Sequence, residues 1–263
     1  MICWLRLLLT KLHIRMSFIR FERVKTIITM NKTYQLEICA NSVLSALTAQ
    51  DNGADRVELC QNLEQGGTTP SLGQVWLARA GLSIGMHVLI RPRAGDFHYS
   101  ELEFLEMKSD IMFCKEAKCD GVVIGILLAD GQVDTARMAE LIELARPMQV
   151  TFHRAFDRCR DPFEALEAII GLGCDRLLTS GMKATAEEGG ETIAKLVEQA
   201  NGRIEVMPGS GINEENILQI AALTKATSFH TSAKVELESE LGDITWVSSK
   251  EKIRHLADML KNQ

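Results

Sequence analysis

The sequence lacks the features that define several broad classes of protein. Near its start, no apolar run approaches the length of a membrane span or of the core of a secretory signal. The net charge is -6 and the Lys and Arg residues are scattered, so no basic surface is expected to attract nucleic acid. The seven cysteines are an odd number without a close-set framework. This favours a reducing compartment, and we expect a cytoplasmic protein with no membrane partner.

Motifs for several kinds of chemistry are also absent. The chain contains no Gly-x-Ser-x-Gly elbow, no Walker phosphate loop and no dinucleotide fingerprint. It contains no Cys-x-x-Cys pair and no two His residues at helical spacing. Covalent catalysis, nucleotide hydrolysis and a closed zinc site are therefore not expected.

Residues 1–30 differ in composition from the rest of the chain. Six Lys or Arg residues are spread through short apolar pieces, against one acidic residue, Glu22. Met30 directly precedes the first well-patterned strand, which favours an upstream start codon and an extension outside the fold. An Arg-rich organelle presequence is the alternative. We expect residues 31–263 to form a single domain, because this length is typical of one α/β barrel.

From Tyr34 onward, short apolar runs typical of strands alternate with helical patterns. The predicted strands are 35–39, 56–60, 86–91, 121–126, 149–153, 176–179, 204–207 and 228–231. The helical patterns include 42–52, 100–117, 134–145, 162–172, 191–200, 213–224 and 250–261. A strand followed by a helix, eight times over, predicts an α/β protein with a parallel (β/α)8 TIM barrel.

An internal repeat supports this barrel. The segment GADRVEL begins at Gly53 and the segment GCDRLLT begins at Gly173, 120 residues or four strand–helix units later. In each copy the Gly suits the left-handed end of a helix, and an Asp-Arg pair enters the next strand at its N-terminal end. That end of a barrel serves stability. The residues expected to be structural for this reason are Asp55, Arg56, Asp175 and Arg176.

Side chains of a strand alternate between its two faces, which identifies the residues inside the barrel. In the first strand, Leu36 and Ile38 should face the helices, so Glu37 and Cys39 point inward. The same alternation in the second strand turns a Glu and a Cys inward. The polar cluster predicted near the top of the barrel consists of Glu37, Glu58, Arg91, His153 and His230, with Cys39 and Cys60 beside it.

Several long motifs resemble the CutC family, whose proteins are associated with copper homeostasis. The matching motifs are LEICANS (36–42), ALTAQDNGADRVELC (46–60), EQGGTTPSLG (64–73), IRPRAGDFHYS (90–100), VTFHRAFD (150–157) and LLTSG (177–181). The resemblance extends from about Tyr34 to the last helix. It implies a barrel fold, a cytoplasmic location and binding of monovalent copper, and it implies no established reaction.

One pair of cysteines could bind this copper ion. Soft monovalent copper prefers thiolate ligands, and neighbouring strands lie roughly 5 Å apart, so Cys39 and Cys60 could share an ion. The resemblance points to the same two positions. The alternative is that both are small buried thiols packing at strand ends. Cys114 and Cys119 should not share a helix face, because they are five residues apart. The cysteines expected to be structural are Cys114, Cys119, Cys159 and Cys174.

A barrel enzyme acting on a small phosphorylated or carboxylated metabolite is the alternative function. Small-residue turns after the seventh and eighth strands stand where such barrels commonly bind phosphate through backbone N–H groups. A tight turn before a helix is the simpler interpretation of the glycines there. The anion-binding residues predicted on this hypothesis are Arg91, Arg93, Gly209, Gly211 and Ser232.

Proton transfer on the same hypothesis would require acidic groups or a histidine at the barrel mouth, where exclusion of water shifts pKa values. The candidates are Glu37, Glu58, His153 and Asp157. The competing interpretation is that Arg91 and Arg154 neutralise the two glutamates, since buried charges must be paired. We therefore expect the partner to be a copper ion or a small anionic metabolite, and the sequence leaves a homo-oligomer open.

Overall fold

The computed structural model describes residues 34–263, so the extension predicted at residues 1–30 lies outside the described residues. Eight short parallel strands form one sheet: β1 (Gln35–Ala40), β2 (Arg56–Leu59), β3 (Gly85–Leu89), β4 (Gly121–Ile124), β5 (Gln149–Phe152), β6 (Arg176–Thr179), β7 (Glu205–Pro208) and β8 (Ser228–Thr231). Consecutive strands from β1 to β7 are paired, and β1 also pairs with β8. A bridge between Gly209 and His230 brings the two ends of the sheet together. The predicted parallel barrel is confirmed.

The described residues also form eight α-helices: α1 (Val43–Asp51), α2 (Leu72–Gly81), α3 (Glu101–Glu116), α4 (Thr135–Ala145), α5 (Pro162–Gly171), α6 (Gly190–Ala200), α7 (Ile217–Thr224) and α8 (Lys250–Lys261). Side chains cap many of their first turns by accepting a backbone N–H hydrogen bond. Ser71 and Ser100 form complete capping boxes with Gln74 and Glu103. These local signals explain why the helices begin close to the predicted positions.

The sequence pattern does not predict an antiparallel hairpin that follows β8. Its strands are β9 (Lys234–Glu238) and β10 (Ile244–Ser248). Both strands are largely exposed and β9 is rich in Lys and Glu, so their alternation carries little apolar contrast. The Lys234 ammonium lies 4.0 Å from the centroid of the Trp246 ring, a contact that joins the two strands.

The main hydrophobic core lies between the barrel and the helices. Phe152 and Phe229 are wholly buried there, together with Leu36 and Ile38 of β1. Burial of each such side chain stabilises the fold by roughly 1.5–3 kcal/mol. Cys39, by contrast, belongs to a separate apolar cluster inside the barrel. The alternation predicted for β1 is therefore present in the structure.

Three aspartates at the N-terminal end of the barrel connect neighbouring strands. Each stands directly before an even-numbered strand and accepts a 2.8 Å hydrogen bond from a backbone N–H of the preceding strand. The pairs are Asp55 with Leu36, Asp120 with Met86 and Asp175 with Val150. Asp55 and Asp175 belong to the internal repeat, whose glycines, Gly53 and Gly173, both have positive φ. The repeated motif thus builds the same strand contact twice.

The barrel interior near this end is polar. Arg56 of β2 forms an ion pair with Glu37 of β1, and Arg176 of β6 forms one with Glu205 of β7. A buried charge is costly unless it is paired, so these contacts keep the interior compatible with folding. The structural role expected for the two arginines of the repeat agrees with this arrangement.

His87 of β3 lies in the same interior. Its ring packs against Gly121, where a Cβ atom would come within 2.6 Å of the ring. Burial disfavours the charged imidazolium and lowers the pKa of His87 to about 4. The residue is therefore neutral at physiological pH.

Replacing Asp55 with Ala should lower the free energy of unfolding by about 1–3 kcal/mol, because the buried N–H of Leu36 would lose its acceptor. Asp55→Asn keeps an acceptor oxygen and should cost less. Asp51→Ala, an exposed change in the preceding helix, serves as the control. Urea unfolding measures all three, and an Asp55→Ala protein as stable as the control would contradict the role of this contact.

Acid should destabilise the protein partly through His87. Its folded-state pKa lies below the ordinary value. The contribution of neutral His87 to stability is therefore fully present above about pH 6.5 and is lost as the pH falls towards the folded-state pKa. This group should account for roughly 2 kcal/mol between about pH 7 and about pH 5. His87→Leu should reduce the pH dependence of unfolding by that amount. Urea unfolding at the two pH values measures this change, and an unaltered dependence in His87→Leu would refute the assignment.

Candidate metal and ligand site

The carboxyl ends of the strands surround a pocket of about 370 Å³. Active sites of parallel barrels lie at this end, because the loops that follow the strands converge there. The predicted residues that line the pocket are Cys39, Glu58, Arg91, His153, Gly211, His230 and Ser232. Most of the polar cluster that strand alternation predicts therefore lies around one pocket.

Glu37 is held beside this pocket by residues of both neighbouring strands. The sheet register pairs Glu37 with Arg56 on β2 and with His230 on β8. Its carboxylate accepts hydrogen bonds from the Arg56 guanidinium and, at 2.7 Å, from Nδ1 of His230. Burial by itself would raise the pKa of Glu37, but Arg56 and His230 hold that pKa well below its ordinary value. Glu37 is a buried anion with two partners.

His230 stands between two carboxyl groups. Its Nδ1 faces Glu37, and its Nε2 lies 3.5 Å from a carboxyl oxygen of Glu58. Burial would lower the pKa of His230, but Glu58, Cys39 and Glu37 raise it well above its ordinary value. Burial raises the pKa of Glu58, against the opposing effect of His230. The imidazole is therefore a buried cation, and Glu58 is the carboxyl group that is easier to protonate.

Cys39 and Cys60 lie side by side at the ends of β1 and β2. Their Sγ atoms are 3.5 Å apart. Cys60 is wholly buried, whereas Cys39 is 8% exposed and reaches the pocket. The hydrogen bond with Cys60 and burial together raise the pKa of the Cys39 thiol well above its ordinary value. Cys39 is thus protonated at neutral pH unless a cation displaces its proton.

Cys39 also belongs to a second set of potential ligands. One donor atom from each of Cys39, Glu58 and His230 lies within 4.8 Å of the others. A pair of thiolates suits soft monovalent copper. A thiolate, a carboxylate and an imidazole suit zinc with one open position. The two sets share Cys39 and differ in every other ligand.

Arg91 does not neutralise either glutamate, which corrects one interpretation of the sequence. Its guanidinium donates to the backbone carbonyls of Gln65, Gly67 and Gly95. Arg154 forms its ion pair with Asp157 instead. The cation that pairs with Glu37 is Arg56, because parallel pairing places it directly beside that residue.

Five of the predicted site residues lie outside the pocket lining: Glu37 and Cys60, whose contacts are given above, and Arg93, Gly209 and Asp157. Arg93 forms ion pairs with Asp96 and Glu103. The Gly209 backbone N–H donates to a carbonyl of β6 and so serves the sheet. Asp157 organises the loop after β6 by accepting hydrogen bonds from Thr179, Ser180 and Met182.

The sequence pattern did not predict two features, a lysine in the pocket lining and the proximity of two cysteines. Lys234 lines the pocket but belongs to the unpredicted hairpin. The backbone N–H of Cys119 donates to the carbonyl of Cys114, and the neighbouring Cys119 thiol raises the pKa of Cys114. The chain turns back after α3 at Lys118, whose φ is 59°, so the spacing of a continuous helix does not apply. Both of these thiols lie in the outer core.

No α-helix within residues 34–263 is both long enough and apolar enough to cross a membrane. A family model described as CutC family matches residues 34–235. A protein of Chromobacterium violaceum named family protein CutC is 53% identical over 206 residues, covering 78% of this chain and 83% of the relative. The human copper homeostasis protein cutC homolog is 47% identical over 206 residues, covering 78% and 76% respectively.

Solved structures give the same result. A CutC crystal structure from Streptococcus agalactiae, named for copper homeostasis, superposes with a TM-score of 0.73 at 34% identity and covers 76% of this chain and 99% of that chain. Thiamine phosphate pyrophosphorylase from Pyrococcus furiosus has a TM-score of 0.58 at 15% identity, covers 88% and 97%, and shares the fold alone. On the family model and on these relatives, the chain belongs to the CutC family.

Proposed function

We propose that the protein binds monovalent copper through Cys39 and Cys60 and takes part in copper homeostasis in the cytoplasm. The observation that carries this proposal is the 3.5 Å separation of the two Sγ atoms at the ends of neighbouring strands. Two thiolates this close suit one soft ion. The name of the human relative, copper homeostasis protein cutC homolog, supports the same role.

The charges around the two thiols favour such a site. Two thiolates with one monovalent cation carry net negative charge, which is costly in a buried position unless it is compensated. His230 lies beside Cys39, and its raised pKa keeps it positively charged. The positive charge of the His230 imidazolium would offset the negative charge of the copper–dithiolate group. The raised pKa of Glu58 limits the negative charge that would compete with it.

The packing of the thiols also suits a soft ion. Cys60 lies behind Cys39 and packs with Leu89 and Val123 inside the barrel. An apolar shell controls access of solvent to a metal and so tunes its redox behaviour. Cys39 reaches the pocket, so an ion would enter past Cys39 and be enclosed against Cys60.

The state of the cysteines supports a cytoplasmic location. The six cysteines among the described residues are all free thiols. Free thiols persist where glutathione and thioredoxin keep them reduced, whereas secreted proteins commonly form disulfides. Copper ligands of this kind would stay available in such a compartment.

Changing Cys60 to Ser should abolish stoichiometric binding of monovalent copper, and Cys39→Ser should do the same, since each change removes one of two thiolates. The matched control is the double change Cys114→Ser and Cys119→Ser, which removes another buried thiol pair outside the pocket. Titration of the reduced protein against a chromophoric copper chelator measures the loss. Retained binding in the Cys60→Ser protein would rule out this ligand pair.

Cys60→Ser and Glu58→Gln together separate copper from zinc. Zinc held by Cys39, Glu58 and His230 should survive Cys60→Ser and be lost in Glu58→Gln. Copper held by the two thiols should be lost in Cys60→Ser and should survive Glu58→Gln. If copper binding survives Cys60→Ser and is lost in Glu58→Gln, the dithiolate proposal fails.

Copper affinity should rise with pH. The pKa of Cys39 is raised well above its ordinary value, so binding must release its proton. Each proton released should increase the apparent affinity about tenfold per pH unit in the range below that pKa. Chelator competition at several pH values tests this, with correction for the chelator's own protonation. An affinity independent of pH would mean that protonated thiols are not the copper ligands.

A further inference from the structure

The pocket is much larger than a metal ion. Its volume of about 370 Å³ lies within the range of small-molecule sites. Beyond Cys39 it is lined by apolar side chains that include Leu63, Phe97, Leu178 and Ile212. An ion bound between the thiols would leave most of this space for a second occupant.

His153 lines the same pocket and has an unused hydrogen-bond donor. Its side chain is buried, with 4% of the residue exposed, and its Nδ1 accepts a 3.1 Å hydrogen bond from the backbone N–H of Ala155. In a neutral ring the proton is then on Nε2. This buried Nε2 has no hydrogen-bond partner among the described residues. A buried donor without an acceptor is unfavourable, so an acceptor atom supplied by a ligand would stabilise the site.

Arg91 contributes a buried positive charge beside His153. The residue is 6% exposed, and its three side-chain hydrogen bonds go to neutral carbonyls. Within residues 34–263 it forms no ion pair, and its Nε has no hydrogen-bond partner. Its guanidinium lies 4.9 Å from the centroid of the Phe97 ring, which in turn lies 5.0 Å from the His153 ring. A buried cation without a carboxylate partner favours an anionic ligand.

Lys234 adds a second cation at the edge of the pocket. It is half-buried, it lines the pocket, and its ammonium contacts the Trp246 ring. No carboxylate in the described part of the chain forms an ion pair with it. The unpredicted hairpin therefore adds a positively charged residue to the lining of the pocket, which favours an anion there.

We propose that this pocket binds a small organic anion, one carboxylate or phosphate group on a short apolar body. The acidic group accepts the Nε2 hydrogen of His153 and lies in the field of Arg91 and Lys234. The apolar body packs on Phe97, Leu178 and Ile212. The residues that bind the anion, His153, Arg91 and Lys234, differ from the proposed copper ligands, although Cys39 lines the same pocket.

Calorimetric titration of the full-length, metal-free protein tests the proposal. The probes are phenyl phosphate and benzoate, with benzyl alcohol as the neutral comparison. Both anions should bind at one saturable site in the millimolar range or below, more tightly than the alcohol. His153→Asn retains an acceptor for the Ala155 N–H and removes the Nε2 donor, and it should weaken anion binding about tenfold or more.

Lys234→Gln should weaken anion binding and reduce its dependence on salt. The control is Lys195→Gln, the same loss of charge at an exposed site on α6. Cys60→Ser should leave anion binding unchanged, so a failed copper proposal and a failed anion proposal give different results. The proposal is overturned if neither anion binds the wild-type protein. It is also overturned if His153→Asn and Lys234→Gln bind as the wild type does, or if benzyl alcohol binds equally well.

Discussion

The buried carboxylate of Glu37 is the constraint on which the interior of this barrel depends. A lone charge in that position would be costly enough to oppose folding, so both neighbouring strands supply partners for it. Arg56 comes from β2 and His230 from β8, each at the register position directly beside Glu37. The two contacts hold the strands on both sides of β1 in register and leave His230 charged. The electrostatics of the mouth follow from that charge, because His230 is the neighbour of both Glu58 and Cys39.

The N-terminal end of the barrel serves stability, and its carboxyl end holds the candidate site. At the N-terminal end, aspartates tie one strand to the next, and the Asp-Arg repeat does so in both halves of the chain. At the carboxyl end, buried nitrogen atoms of Arg91 and His153 have no hydrogen-bond partner among the described residues, and parallel barrels bind their ligands at this end. Cys39 sits at the boundary between the thiol pair and the wider pocket. A metal and an organic ligand could therefore occupy adjacent spaces and be detected separately.

Particular residues show why part of this arrangement was predictable. The inward direction of Glu37, Cys39, Glu58 and Cys60 followed from alternation, because the apolar residues of β1 and β2 alternate with them. Alternation did not identify the cation that pairs with Glu37. Arg91 and Arg154 were the expected cations, yet Arg91 binds loop carbonyls and Arg56 takes the role. Sequence shows that a buried acid needs a cation, but only the strand register selects which one. The proximity of Cys114 and Cys119 was missed for a similar reason, since a turn outside the helix creates it.

The sequence by itself determined the strand–helix alternation, the barrel and the set of polar residues that face its interior, because these depend on local periodicity and on the direction of side chains along a strand. It also carried the family motifs. Tertiary structure decided which of those residues touch. The separation of the Cys39 and Cys60 thiols, the place of His230 between two carboxyl groups, the isolation of the His153 donor and the arrival of Lys234 from the hairpin all depend on register and loop path. Those are set by packing between segments far apart in the chain, and no local pattern encodes them.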